Sequence, residues 1–417
     1  MADGPDDAPG EDPPAIPVLR EPTDGVPEPL TGPARLDALV TSLRDGHGPV
    51  ALDAERASGY RYSQRAYLVQ LRRAGVGTAL IDPIPLPDLS GVQDAIEDAE
   101  WILHAAAQDL PCLAELGMRP ARLFDTELAG RLLGDERVAL GTMVERHLGV
   151  GLEKGHSAAD WSTRPLPHEW LVYAALDVEL LIQLRDVLAE DLEAAGKTDW
   201  AAQEFEAVRL AAPSAPRIDP WRRTSGIHRL RSRRQIAAVR ALWNARDEYA
   251  AERDIAPGRV LPDSAIVEAA RANPARPADL MALPVFGGPR QRRRVDRWFT
   301  ALDDARRMSD DELPAVTSGA GDGMPATSRW RERDPQAAAR LAAAREVIAQ
   351  LAGQHEVLAQ NLLASDVVRR LTWDPPQSLD EDTVRARLTD LGARPWQVDL
   401  AAAPLSAALA ASSVKDS

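Results

Sequence analysis

The amino-acid sequence predicts an α/β domain followed by two all-α domains. Strand and helix signals alternate between about residues 31 and 195, and strand signals stop after about residue 213. Strands followed by alternating helices are typical of a mixed sheet that is covered by helices. Two stretches of turn-forming residues divide the chain. They contain Pro213, Pro216, Pro220, Gly319, Gly321 and Gly323.

The first domain, residues 31–212, is expected to contain five strands and a long helix near its end. Apolar runs that are bounded by turn residues predict the strands. These runs lie at residues 50–54, 67–73, 78–82, 101–105 and 122–124. The helix is predicted to begin near Pro167 and to continue toward Glu193. The preceding residues 1–30 are rich in proline, glycine and acidic side chains, which predicts a disordered tail.

The rest of the chain is predicted to form two helical domains, residues 213–307 and 330–410, joined by a linker at residues 308–329. Helical periodicity without strand signals supports this division. The predicted helices lie at residues 231–253, 262–272, 277–283, 288–307, 334–351 and 384–391.

Composition limits the class of protein. One cysteine excludes a disulfide framework and favours a reducing compartment. The N-terminus lacks the basic segment and the apolar segment of a signal peptide. The sequence also lacks a run of 18 strongly apolar residues, which a membrane-spanning helix would need. We therefore expect a cytoplasmic protein with no membrane partner.

The net charge of −15 is unevenly distributed along the chain. Residues 1–50 carry ten acidic and three basic side chains, a net charge of −7, whereas residues 216–307 carry 20 arginines and 11 acidic side chains, a net charge of +9. A gathered positive charge of this kind favours contact with the phosphates of a nucleic acid.

Five residues at three places predict the chemistry. Asp53 and Glu55 are two residues apart on one predicted strand. Side chains on a strand alternate between its faces, so these two point to the same face, about 7 Å apart. Asp109 lies between the predicted strand at residues 101–105 and a helix with an early proline. Tyr173 and Asp177 are four residues apart on the long helix and share a face. Four carboxylates and a phenol are the groups that a two-metal phosphoryl-transfer site requires.

Each of these groups also has an ordinary structural interpretation. An Asp-x-Glu pair at a strand end is commonly solvated, and Asp109 alone is better explained as a helix cap. Among the neighbouring polar residues, Asp125 is predicted to be a cap, His104 a near-core residue and Cys112 a small buried side chain. The joint occurrence of the five residues, each in a suitable element, favours the catalytic interpretation.

Three stretches of the first domain resemble the exonuclease motifs of ribonuclease D, a family of 3′–5′ exoribonucleases. They are Leu52-Asp53-Ala54-Glu55, residues 102–110 ending in Gln108-Asp109-Leu110, and Tyr173-Ala174-Ala175-Leu176-Asp177. The run Asp160-Trp161-Ser162-Thr163-Arg164-Pro165-Leu166 resembles a further signature of the same family. The resemblance implies a ribonuclease-H-like fold, and two divalent ions (Mg²⁺ or Mn²⁺) held by Asp53, Glu55, Asp109 and Asp177. It also implies that Tyr173 positions the attacking water.

The first helical domain resembles the small nucleic-acid-binding module found at the C-terminal side of helicases and ribonuclease D, the HRDC domain. The matching features are residues 242–247, 265–272 and 287–290. Basic runs flank this domain, and we expect RNA backbone contacts from Arg231, Arg233, Arg234, Arg290, Arg292 and Arg293. By the same resemblance, residues 330–410 are expected to form a second, diverged HRDC-like domain.

The predicted function is therefore hydrolysis of RNA from its 3′ end with release of 5′-mononucleotides. The resemblance implies tRNA precursors as substrates. We expect a monomer, because three domains in a ring-like arrangement would already enclose a substrate, and no obligate protein partner is implied. Two alternatives stay open at this point. One is a 3′–5′ DNA exonuclease with the same site, because no residue can be named that recognises the 2′-hydroxyl. The other is a non-catalytic RNA-binding adaptor.

Overall fold

The computed structural model describes residues 16–153, 155, 158–212, 217–316 and 324–414. Residues 1–15 of the predicted tail lie outside the described residues, as do parts of both predicted linkers.

A five-stranded mixed sheet forms the centre of the first domain, as the sequence predicts. The strand order is β4-β3-β2-β5-β6, in which β2 pairs antiparallel with β3 and parallel with β5. Strands β1 and β7 form a separate parallel pair. The strands are β1 Val18–Leu19, β2 His47–Arg56, β3 Ala66–Ala74, β4 Gly77–Ile81, β5 Glu100–Leu103, β6 Arg122–Asp125 and β7 Gly151–Leu152. The central position of β2 follows from its apolar run, because Val50, Ala51 and Leu52 are fully buried.

Helices cover this sheet. They are α1 Pro33–Asp45, α2 Ser90–Ala95, α3 Leu110–Glu115, α4 Thr126–Leu132, α5 Leu140–Leu148, α6 His168–Glu179, α7 Leu181–Ala194 and α8 Thr198–Arg209. The prediction of one long helix toward Glu193 is wrong, because the chain leaves helical geometry at Leu180 (φ −107°, ψ 4°). No proline or glycine lies between residues 168 and 195, so local sequence gave no sign of this break.

The tail predicted to be disordered, residues 1–30, extends too far toward the C-terminus, because several residues between 16 and 30 bond to the first domain. Val18 and Leu19 pair with Gly151 and Leu152. Leu30 donates its amide hydrogen to the carbonyl of Leu80 at 2.8 Å. The hydroxyl of Thr23 donates to the carboxylate of Glu179, which also pairs with Arg72 at 3.1 Å. These long-range bonds offset the loss of chain entropy that the polar composition alone would leave uncompensated.

The first helical domain has its own hydrophobic core, which includes Trp221, Leu242, Phe286 and Trp298. Its helices are α9 Arg233–Arg253, α10 Pro257–Val260, α11 Asp263–Ala272, α12 Pro277–Met281, α13 Pro289–Arg292 and α14 Val295–Arg307. The helix predicted at residues 288–307 is thus two helices. A capping box begins α9, in which Ser232 and Gln235 satisfy backbone amides at the first turn.

The C-terminal unit is all-α, as predicted, and it shares one continuous core with the first domain. Its helices are α15 Trp330–Arg333, α16 Pro335–Gln354, α17 Ala359–Leu362, α18 Ser365–Trp373, α19 Glu381–Asp390 and α20 Pro395–Val414. The rings of Trp200 and Trp396 stack with centroids 4.5 Å apart, and the indole nitrogen of Trp396 donates to Glu204 at 2.9 Å. None of the described helices is long and apolar enough to cross a membrane.

Candidate active site

Asp53 and Glu55 lie near the end of β2, on the face of the sheet that α6 covers. Alternation along β2 directs both side chains to this face. The helix α6 packs closely on the same face, because its buried side chains include the small Ala174 and Ala175. Glu55 is only 8% exposed. The sequence therefore places two acidic side chains under a helix, where water cannot fully solvate them.

Asp109 follows β5, which is the parallel neighbour of β2, and it precedes α3. Although Asp109 occupies the cap position of α3, its side chain makes no capping hydrogen bond. The structural interpretation of Asp109 as a helix cap therefore does not hold. The Asp109 side chain is 7% exposed, and Arg56 lies 3.4 Å from one of its carboxylate oxygens.

Tyr173 and Asp177 lie one turn apart on α6, where the hydroxyl of Tyr173 donates a hydrogen bond to the carboxylate of Asp177. One ligand oxygen from each of Asp53, Glu55 and Asp177 lies within 4.8 Å of the others. Asp109 is close enough to interact electrostatically with all three. The structure thus brings the five predicted residues together. We call the four carboxylates Asp53, Glu55, Asp109 and Asp177 the carboxylate cluster.

Burial and mutual repulsion make the ionised cluster unfavourable on its own. Burial raises the pKa of Asp53 to about 6. Burial and the neighbouring charges, Asp53 first among them, raise the pKa of Glu55 to about 10. The pKa values of Asp109 and Asp177 are raised well above the usual range by burial and by repulsion from Asp53. A buried group of like charges requires protons or cations as partners.

The ligand set fits divalent metal ions. All the ligands are carboxylate oxygens, which hard cations such as Mg²⁺ and Mn²⁺ prefer. The described residues show no histidine or cysteine within this group of ligand atoms. Divalent cations bound here would offset the repulsion that raises the four pKa values.

The signature run that begins at Asp160 forms the wall behind Tyr173. Trp161 is fully buried, and its ring centroid lies 5.4 Å from that of Trp170 and 6.4 Å from that of Tyr173. Arg164 donates to both carboxylate oxygens of Asp82 at 2.6 and 2.9 Å. Its guanidinium also donates to the carbonyls of Tyr67, Trp161 and Thr163. These contacts fix the loop against β3 and β4 and hold the phenol in place.

The polar neighbours predicted to be structural have structural contacts. Asp125 caps α4, since its side chain accepts hydrogen bonds from the amides of Glu127 and Leu128. A ring nitrogen of His104 lies 2.9 Å from the hydroxyl of Thr126, and burial lowers the pKa of His104 to about 4. Cys112 is buried at 2% exposure. Lys154 and His156, which we expect from the sequence to lie in a solvated loop near the third motif, lie outside the described residues.

Sequence reasoning missed two residues next to the cluster. Arg56 should point away from Glu55 if the side chains alternate, but a register shift between these two residues interrupts the alternation. Gln70 lies directly opposite Asp53 on β3 and is fully buried, and neither polar atom of its amide has a partner in the part of the chain that the structure describes. A glutamine within the apolar strand Ala66–Ala74 was the available signal.

The arginines expected to contact RNA fall into two groups. Arg233 donates to the carbonyl of Leu313, and Arg234 donates to the carbonyls of Arg306 and Met308. These two guanidiniums therefore hold the end of α14 and the segment after it. The other four side chains are exposed on the HRDC domain: Arg231, Arg290, Arg292 and Arg293.

Matches to protein-family models identify the class of protein to which the chain belongs. A family model described as "3'-5' exonuclease" matches residues 27–193, and the HRDC model matches residues 235–302. A model described as "3' to 5' exonuclease C-terminal domain" matches residues 323–409. Together with the mixed sheet and its carboxylates, these matches define a metal-dependent 3′–5′ exonuclease with an HRDC domain.

The family follows from longer alignments. The chain is 32% identical over 333 residues to a ribonuclease D of Zymomonas mobilis, an alignment that covers 75% of this chain and 84% of that protein. The chain belongs to the ribonuclease D family and is a hydrolytic 3′–5′ exoribonuclease. This result also decides against the non-catalytic adaptor.

Solved structures agree with this assignment. Escherichia coli RNase D is 26% identical with a TM-score of 0.65, over 87% of this chain and 98% of that one. A protein from Bifidobacterium adolescentis is 37% identical with a TM-score of 0.87, over 95% of this chain and all of that one.

Proposed function

We propose that this exoribonuclease cuts one nucleotide at a time with two Mg²⁺ or Mn²⁺ ions held by the carboxylate cluster. The observation that carries the proposal is the convergence of the ligand oxygens of Asp53, Glu55 and Asp177 within 4.8 Å, with Asp109 beside them. Four carboxylates that are buried (Glu55, Asp109) or partly buried (Asp53, Asp177) and have raised pKa values favour more than one divalent cation, because a single ion would leave part of the negative charge unbalanced.

The bound ions would supply Lewis-acid stabilisation of the attacking and leaving oxygens. The chain's own residues would place the reactants. Burial and the neighbouring carboxylates raise the pKa of Tyr173, so its hydroxyl keeps its proton at neutral pH. A protonated phenol cannot act as the base, but its oxygen can accept a hydrogen bond from the attacking water and orient it. Adjacent turns of α6 would thereby supply the residue that orients the water, Tyr173, and a metal ligand, Asp177.

The proposed substrates are structured RNAs with 3′ extensions, tRNA precursors in particular. Escherichia coli RNase D, which covers most of this chain, is described as "an exoribonuclease involved in structured RNA processing". The HRDC domain would hold the body of the RNA through contacts between phosphates and exposed arginines. We assign this role to Arg231, Arg290, Arg292 and Arg293, because Arg233 and Arg234 are engaged within the protein. The protein is proposed to act as a cytoplasmic monomer.

A time course on a 3′-extended tRNA precursor labelled at its 5′ end tests the chemistry and the substrate together. Mg²⁺ or Mn²⁺ should give a ladder that shortens from the 3′ end and stops near the mature terminus, and EDTA should prevent it. A ladder that continues into the tRNA body would contradict the proposed substrate but keep the chemistry. The Asp53→Ala variant is the control for a contaminating nuclease, and turnover equal to the wild type would overturn the assigned site.

Parallel reactions on RNA and DNA oligonucleotides of one sequence test the preference for RNA. We expect faster cleavage of the RNA. Equal rates would reopen the alternative of a general 3′–5′ exonuclease.

A further inference from the structure

Arg56 is a basic side chain inside an otherwise acidic site. Its guanidinium lies 3.4 Å from a carboxylate oxygen of Asp109, and its positive charge lowers the pKa values of Asp53, Glu55 and Asp109 against the effect of burial. Among the described residues, no other basic side chain forms an ion pair with the carboxylate cluster. The position of Arg56 therefore needs an explanation beyond the metal ligands themselves.

The contact between Arg56 and Asp109 is loose. No hydrogen bond of the Arg56 side chain is found within the described ranges, although a guanidinium offers five donors. Arg164, by contrast, uses its donors on five acceptor atoms of the protein. A structural arginine in this chain is thus fully engaged, whereas Arg56 keeps most of its donors available.

Arg56 is also accessible. Its side chain is 25% exposed, whereas that of Asp109 is 7% exposed. Solvent, and therefore an RNA phosphate, can reach the Arg56 side chain beside the more deeply buried Asp109. When divalent ions bind Asp109, they replace the positive charge that Arg56 supplies there, so the guanidinium is free to bind another anion.

We propose that Arg56 is a further catalytic residue, which binds a non-bridging oxygen of the phosphodiester that is being cut. The inference rests on the proposed function, because the carboxylate cluster fixes where that phosphodiester lies. A guanidinium stays charged at all working pH values and matches the geometry of phosphate oxygens. Arg56 would stabilise the negative charge that increases on these oxygens during the reaction.

The test compares Arg56→Gln with the wild type in two separate measurements. Calorimetric titration with Mn²⁺ in the absence of RNA measures the affinity of the carboxylate cluster. Single-turnover cleavage of a short single-stranded RNA at saturating Mn²⁺ measures the chemical step. Arg44→Gln is the matched control, since it removes the same charge from an exposed site on α1.

We expect the two measurements to change in opposite directions. Arg56→Gln should bind Mn²⁺ at least as tightly as the wild type, because a competing cation is gone. It should cleave about 10- to 100-fold more slowly, which corresponds to the loss of a charge-assisted hydrogen bond. Arg44→Gln should match the wild type in both.

Two results would overturn the role of Arg56. One is wild-type cleavage by Arg56→Gln, and the other is a loss of Mn²⁺ affinity parallel to the loss of cleavage, which indicates that Arg56 only arranges the ligands. If Arg56→Gln does not fold, Arg56→Met provides the test, because it keeps an apolar stem of similar length and removes the charge. Wild-type cleavage by Arg56→Met would then overturn the proposal. Absence of cleavage by the wild type would instead overturn the proposed function.

Discussion

Asp177 is partly buried beside other carboxylates, and desolvation together with repulsion raises its pKa well above the usual range. Replacing Asp177 by Asn keeps the size of the side chain and removes one of the mutually repelling negative charges. We therefore expect the free energy of unfolding of the metal-free protein to rise by about 1–2 kcal/mol. Thermal unfolding in EDTA measures this change. The substitution also removes a proposed metal ligand, so cleavage should fall at least ~100-fold.

Unfolding in the presence of Mn²⁺ shows whether Asp177→Asn impairs metal binding or only changes the stability of the fold. Mn²⁺ should raise the unfolding midpoint of the wild type more than that of Asp177→Asn, because ligand binding stabilises the folded state. A variant that unfolds at a lower temperature than the wild type in EDTA would contradict the interpretation of the cluster as mutually repelling charges.

Tyr173 contributes a hydroxyl to the site and an aromatic ring to the wall formed with Trp161. Tyr173→Phe keeps the ring and removes the hydroxyl. We expect Mn²⁺ affinity within about threefold of the wild type, since all four carboxylates remain, and cleavage reduced about 10- to 100-fold because the water loses its orientation. Calorimetry and single-turnover kinetics check the two parts. Unchanged cleavage would remove the hydroxyl from the proposed mechanism.

At the scale of single elements, the sequence predicted the elements that carry the site. Strand β2 and the first part of the long helix were predictable because their apolar runs and spacing are local signals. The break at Leu180, the contact of Arg56 with Asp109 and the pairing of Val18 with Gly151 were not. The last two depend on partners more than 50 residues away, and the position of Arg56 also on a register shift, which no local pattern encodes.

The loop before α6 depends on one side chain. Arg164 holds Asp82, whose carboxylate is 5% exposed, and Arg164→Ala would leave that charge buried without its cation. Because Arg164 is itself 30% exposed, we expect a loss of about 2–3 kcal/mol in the free energy of unfolding. Denaturant titration measures it. Arg20→Ala, which breaks an exposed ion pair with Glu153, should change stability by less than ~0.5 kcal/mol.

A loss for Arg164→Ala no larger than that for Arg20→Ala would show that water replaces the guanidinium at Asp82. Cleavage should decrease as well in Arg164→Ala, because Tyr173 packs against Trp161 of the loop that Arg164 fixes. Cooling should restore part of this activity if the loss comes from loosening of the loop rather than from the chemistry.

At the scale of the whole molecule, the two helical parts are attached in different ways. The C-terminal unit joins the exonuclease domain in one hydrophobic core, whereas the HRDC domain keeps its own core. Composition showed that both are helical, but it could not show this difference. The HRDC domain meets the exonuclease domain at the loop between β2 and β3, immediately after Asp53 and Glu55, through polar contacts and through the ring of Tyr62, which packs against the HRDC core. Polar contacts of this kind permit domain motion more readily than a shared core.

Asp254 and Arg259 form much of this polar contact. The carboxylate of Asp254 accepts hydrogen bonds from the amides of Tyr62 and Ser63 at 3.1 and 2.8 Å. Arg259 donates to the carbonyl of Gly59 at 2.7 Å. A double variant, Asp254→Gly with Arg259→Ala, removes both contacts, and glycine tolerates the positive φ of 48° at position 254. We expect a larger radius of gyration in solution scattering.

The consequence for activity depends on the substrate. A short single-stranded RNA needs only the carboxylate cluster, so the double variant should cleave it within about threefold of the wild-type rate. A 3′-extended structured RNA also needs the HRDC domain at a fixed distance from the site, and its trimming should slow about tenfold because the effective concentration of the RNA end falls. Asp254→Asn is the matched control, since its amide oxygen still accepts from the two backbone amides. Equal slowing on both RNAs would mean instead that the contact acts on the loop after Glu55 and so on the chemistry itself.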